Sequence, residues 1–111
     1  MKTDTIAAIA TAMSNSGIGI IRISGEKSID IVNSVYVNKK RQPSLKKYES
    51  NTIHYGFILD GEEIVDEVMV SVLKKPNSFT TEDTVEINCH GGILVMNRIL
   101  SLVIEKGARI A

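Results

Sequence analysis

The chain has 111 residues, with thirteen Lys plus Arg balancing thirteen Asp plus Glu, 43% hydrophobic and 23% charged residues. That length holds one compact domain and is too short for two. The composition excludes a disordered tail, a collagen-like repeat and a coiled coil, and zero net charge leaves only local contacts as a route to nucleic acid or membrane. Ile (16) and Val (10) far outnumber Leu (6), and Trp is absent, a β-branched bias that favours strands. Cys89 is the single cysteine and has only His54 and His90 beside it. An internal disulfide is impossible, soft ligands are too few for a structural zinc, and a reducing, cytoplasmic setting is expected. Asp4 interrupts an amino-terminal apolar stretch that is short for a signal peptide, and no run approaches the roughly 20 apolar residues of a membrane span.

In chain order, Thr5 to Thr11 and Ile18 to Ile23 read as two strands joined by the small-residue loop Ser14-Asn15-Ser16-Gly17. Ser24-Gly25 ends the second strand, with Ser24 able to cap a helix. Ile29, Val32, Val35 and Tyr36 then recur at three- and four-residue spacing, which predicts a helix from about Glu26 to Val37. From Asn38 to Asn51 periodicity disappears. Five of the basic residues (Lys39, Lys40, Arg41, Lys46, Lys47) gather there with Pro43, as in an exposed loop. Thr52 to Asp60 and Ile64 to Leu73 form a hairpin around Asp60-Gly61, with Val68, Val70 and Val72 on one face and Glu67, Met69, Ser71 and Leu73 on the other. Lys74 to Asp83 is loop, Thr84 to His90 is strand, and Gly91-Gly92 leads into a helix that runs to about Lys106 and stops at Gly107. Arg109-Ile110-Ala111 begins another strand, so the chain is read as an amino-terminal domain cut from a longer protein. The expected fold is α+β: a mixed, largely antiparallel sheet with two main helices.

Two residues carry most of the chemical interest. In Thr84 to His90, alternation places Val85, Ile87 and Cys89 on one face and Glu86, Asn88 and His90 on the other. A carboxylate on that second face is either solvated or faces a pocket. In a pocket its two oxygens suit a planar, guanidine-like edge such as that of a pterin or guanine. Arg22 lies within the apolar run Ile18 to Ile23 and must reach water, an acidic ligand or an acidic side chain, Glu86 on a neighbouring strand among them. His90-Gly91-Gly92 and Ser14 to Gly19 could offer backbone N–H groups to an anion, or could simply be turns. Cys89 belongs to the apolar row and is expected to pack rather than react. The Lys39 to Lys47 cluster is a solvated loop or a local RNA contact. No nucleophile–base pair, paired catalytic carboxylates or metal cluster can be assembled, so the residues alone indicate a binding or assembly domain.

Three segments in register resemble the amino-terminal domain of the MnmE (TrmE) family of tRNA modification GTPases: Asp4 to Thr11, Gly17 to Gly25 and Pro76 to Gly92 (PNSFTTEDTVEINCHGG), followed by Gly107 to Ala111. The resemblance spans essentially the whole chain. It implies a fold similar to the tetrahydrofolate-binding fold of the glycine-cleavage T protein, a homodimer, and a 5-formyl- or 5,10-methylenetetrahydrofolate that supplies a one-carbon unit for modification of the wobble uridine of tRNA together with the flavoprotein MnmG (GidA). The family's folate-contacting Arg and Glu fall on Arg22 and Glu86. A further folate-contacting Lys, the helical domain, the GTPase domain with its GTP, Mg and K, and the catalytic carboxy-terminal Cys would all lie beyond Ala111. The sequence departs from the family at Ala12 to Ser16, usually rich in Pro and Gly, and at Thr81, usually Gly.

Overall fold

A computed structural model describes residues 4–10, 18–75, 82–90 and 92–111. The loop at Ser14 to Gly17, Gly91 and most of the Lys74 to Asp83 loop lie outside those residues. The fold is α+β. Seven strands, β1 (Ile6–Ile9), β2 (Gly19–Ser24), β3 (Tyr36–Val37), β4 (Thr52–Asp60), β5 (Glu63–Leu73), β6 (Thr84–Cys89) and β7 (Arg109–Ile110), form one sheet in the order β3-β4-β5-β6-β2-β1-β7. Every pairing is antiparallel except β1 with β7. Two helices, α1 (Ser28–Asn33) and α2 (Gly92–Glu105), cover one face.

The apolar periodicities decide which face that is. Along the register, Ala7, Ile23, Val85 and Val72 form one row and Ile9, Ile21, Ile87 and Val70 the next, so residues of period two on four strands meet in a single layer. Ile21, Ile23, Val68, Val70, Val72, Val85 and Ile87 are fully buried, beneath Met96, Ile99 and Val103 of α2 and Val32 of α1. The hairpin and the β6 alternation are as the sequence predicts. A bulge between Ile58 and Leu59 shifts the register near the Asp60–Gly61 turn. Gly107, at φ +127°, ends α2, and the Ala108 N–H bonds back to the Val103 carbonyl as the chain turns into β7.

The first helix differs from expectation. It is six residues long instead of running from Glu26 to Val37, and Tyr36 and Val37 pair with Ile58 and Phe57 as an edge strand. Three causes converge. Ser34 Oγ bonds back to the Ile31 carbonyl at 2.6 Å, a local competitor for the helix. Val35 and Val37 are β-branched and Tyr36 is aromatic, types that suit a pleated surface. The Tyr36 ring also lies over Gly56, and its hydroxyl donates to the Tyr55 carbonyl at 2.8 Å. Ser24 does not cap this helix. It ends β2 with its hydroxyl 3.3 Å from Thr84 Oγ1, while Thr5 Oγ1 accepts the Lys27 N–H at 3.0 Å. The Asn38 to Asn51 segment is not wholly exposed either: a 3₁₀ turn, Leu45–Lys47, buries Leu45 completely, and Asn33 Oδ1 accepts the Leu45 N–H.

A Cβ on Gly56 would stand 2.3 Å from the Val37 carbonyl oxygen and 2.4 Å from the Tyr36 ring. Backbone cannot yield as a flexible side chain can. Gly56→Ala should therefore destabilise the domain by about 2 kcal/mol or more, read as a lowered urea midpoint with unchanged slope.

Candidate functional site

Opposite the helices the sheet has a second face, which no helix covers among the described residues. Arg22 and Glu86 are direct cross-strand partners there, with Ala8 on one side and Ser71 and then Ile53 on the other. The next row reads Ile20, Asn88, Met69, Tyr55. Both predicted site residues thus stand side by side. Arg22 Nε and Nη2 each lie 2.7 Å from Glu86 Oε2.

That geometry is asymmetric. Both guanidinium contacts fall on one carboxylate oxygen, so Oε2 is engaged while Oε1 receives no hydrogen bond from Arg22. The Glu86 side chain is 21% exposed and that of Arg22 48%. The carboxylate is half sunk in the sheet with one oxygen on offer. A two-pronged N–H donor can take Oε1 at once, and takes Oε2 as well if the guanidinium swings aside.

Beside it is a residue that sequence reasoning placed on this face without assigning it a role. Asn88 Oδ1 is buried and, among the described residues, is the one buried side-chain oxygen or nitrogen with no hydrogen-bond partner. A buried unpaired acceptor costs about 1–3 kcal/mol. It sits two residues from Glu86 on the same face, so a small turn of its side chain would offer both acceptors to a donor laid along β6. Alternation alone gave Asn88 its direction; its lack of a partner is visible only once β5 and β2 flank it.

Other candidates resolve differently. The His90 N–H donates to Asp66 Oδ2 at 2.6 Å, and His90 Nδ1 lies 2.9 Å from the Glu67 carbonyl oxygen. The amide at the mouth of α2 is thus already engaged by a carboxylate of the chain itself. Cys89 is buried with its Sγ 3.6 Å from the Gly19 carbonyl, and burial, helped by the charge of Asp66, pushes the thiol up to about 11. It is a packed, protonated residue. No group of three or more His, Cys, Asp or Glu is placed to hold a metal among the described residues. No helix among them is long and apolar enough to cross a membrane.

At the β4 edge the basic loop folds back on the sheet. Tyr48 stacks on His54 with ring centroids 3.3 Å apart, and the Lys39 ammonium lies 5.5 Å from the Tyr55 ring centre. Lys39, Lys40 and Lys47 line a cleft of about 380 Å³ with Ile53 and Tyr55. Sequence reasoning saw the charges but not the cleft, because Tyr48 and His54 come together only when the loop closes on β4.

Residues 5–111 match the family described as GTP-binding protein TrmE N-terminus. The chain belongs to this family. It is 51% identical over 111 residues to the tRNA modification GTPase MnmE of Lachnoclostridium phytofermentans, covering all of this chain and 24% of that protein. It is 51% identical over 110 residues to the MnmE of Bacillus subtilis and 54% identical over 110 residues to that of Alkaliphilus metalliredigens, in each case covering 97% of this chain and 24% of the relative. The chain therefore spans about a quarter of the length of these relatives.

Two outcomes test the site's physical chemistry. A pair exposed to this degree contributes less than about 1 kcal/mol. A double-mutant cycle of Arg22→Ala and Glu86→Ala should therefore show a coupling below that, measured by urea unfolding. His54 is held below its ordinary value of 6.5 by burial. Its neutral form is favoured on folding, so its contribution is complete above pH 6.5 and is lost as pH falls through the lower folded value. Urea midpoints should rise between pH 5 and 7, and His54→Gln should flatten that rise.

Proposed function

We propose that this domain binds a reduced folate, 5-formyl- or 5,10-methylenetetrahydrofolate, at Arg22 and Glu86, and that it dimerises as part of a cytoplasmic tRNA modification GTPase. In this reading the folate supplies the one-carbon unit for wobble-uridine modification, carried out with the flavoprotein MnmG (GidA). GTP, Mg and K belong to a GTPase domain outside these residues. The observation that carries the reading is the juxtaposition on β6 of a carboxylate with an unengaged oxygen and a buried acceptor without a donor. A pterin presents an amino group and a ring N–H in parallel, which match a carboxylate, and one further ring N–H past the next ring nitrogen, which matches Asn88 Oδ1 once that side chain turns outward. Arg22 then holds the Glu86 carboxylate in place or turns to the acidic part of the cofactor.

A second reading has its own support. The Arg22–Glu86 ion pair accounts for both residues without a ligand, which makes the domain a structural dimerisation module. Calorimetry on the full-length protein separates the two. With 5-formyltetrahydrofolate, saturable binding is expected. Glu86→Gln should weaken it by about 1.5–3 kcal/mol, or roughly ten- to a hundredfold in Kd, the value of hydrogen bonds to a charged group. A dimer in sedimentation that shows no heat with the folate would favour the structural module.

A further inference from the structure

The face that carries Arg22 and Glu86 does not end there. From Glu86 the register runs to Ser71 and then Ile53, and from Asn88 to Met69 and then Tyr55. Two interstrand spacings put Ile53 and Tyr55 roughly 10 Å from Glu86 and Asn88. Met69 and Ile53 are 37% and 62% exposed, so the intervening floor is open, apolar at these two residues and polar at Ser71. At its far side lies the cleft of Lys39, Lys40 and Lys47.

These three lysines differ from Lys46 of the same loop, which pairs with Asp30. No acidic side chain is within ion-pair distance of Lys39, Lys40 or Lys47 among the described residues. A chain with no net charge has thus gathered three uncompensated ammonium groups around one concavity. The aromatic residues of the cleft are poor platforms for nucleic-acid bases. Tyr48 and His54 cover each other's faces, and Lys39 lies over Tyr55. Stacking of unpaired bases, the sequence-tolerant part of single-strand recognition, would compete with these contacts for the rings.

We infer that the cleft between β4 and the Asn38–Tyr48 loop is the subsite for the glutamate carboxylates of the folate, an assignment that rests on the folate reading above. A pterin at Glu86 and Asn88 directs its aminobenzoyl group across Met69 and Ile53, an apolar surface suited to a ring. The α- and γ-carboxylates then reach Lys39, Lys40 and Lys47. Lysine ammonium groups on flexible stems suit carboxylates whose positions vary with the number of glutamates, where a rigid guanidinium fork would not.

The test titrates the full-length protein with mono- and pentaglutamylated 5-formyltetrahydrofolate, comparing wild type with Lys39→Gln/Lys40→Gln/Lys47→Gln and with Glu86→Gln. All three lysines are exposed, so the triple variant should fold normally. Each exposed ion pair is worth up to about fivefold in affinity, so the triple variant should bind both ligands about tenfold or more weakly at low salt. In wild type, about 0.5 M salt should reproduce much of that loss, while the triple variant should be nearly salt-insensitive. Unchanged affinity of the triple variant for both ligands overturns the subsite even if Glu86→Gln abolishes binding. The same holds if the variant loses affinity for tRNA and keeps it for the folates. Wild-type protein that binds neither ligand overturns the folate reading itself.

Discussion

The register of β6 between β2 and β5 is the constraint on which the rest of the structure depends. Val85, Ile87 and Cys89 must enter the core together, because their neighbours in register, Ile23, Ile21 and Gly19 on one side and Val72 and Val70 on the other, are all buried. A slip of one residue would send three apolar side chains to the open face and Glu86 into the core. Burying that carboxylate with no partner would cost far more than any single contact in the sheet provides. The same arithmetic that fixes the core therefore fixes Glu86 and Asn88 outward, side by side and two residues apart. Gly19 completes the arrangement: α2 sets Met96 so close that a Cβ there would lie 1.9 Å from its sulfur.

Because the core determines where Glu86 stands, the ion pair with Arg22 has little left to stabilise. Both side chains retain solvent access, and a pair of this kind in high dielectric gains little over its hydrated components. Its value is positional. Arg22, held in β2 between Ile21 and Ile23, brings its charge to Oε2 and leaves Oε1 clear. An arrangement optimised for stability would use both carboxylate oxygens in a parallel fork. Asn88 points the same way, since a fold selected for stability alone would not retain an acceptor buried without a donor where a serine or threonine could sit.

What the sequence made legible was whatever period two controls. β6, the hairpin and the opposing faces of β5 follow from alternation, and Arg22 and Glu86 stood out because each is charged within an apolar run. The first helix was misjudged because Ile29, Val32, Val35 and Tyr36 satisfy helical spacing while the last two have a better partner far away in sequence, the edge of β4. Leu45 was missed for a related reason: one apolar residue among lysines has no period, and its burial depends on Asn33 and the 3₁₀ turn beneath it. Asn88 was placed correctly, yet its lack of a partner is a property of its neighbours and could not be read from the strand that carries it.

The early end of that helix is also what forms the basic cleft. If α1 continued to Val37, the chain would leave the domain on the helical side and its basic segment would trail in solvent. By stopping at Asn33 it allows Tyr36 and Val37 to lie along β4, and that pairing delivers the next residues over the sheet edge. Lys39 then lies over Tyr55 and Arg41 over Phe57, both rings on the open face, while Tyr48 returns to stack on His54. Gly56 makes this possible, since any side chain there would displace the Tyr36 ring. A glycine in the middle of a nine-residue strand is a cost to that strand. It is offset by a turn of the chain that brings uncompensated positive charge to the same face on which β6 displays Glu86 and Asn88.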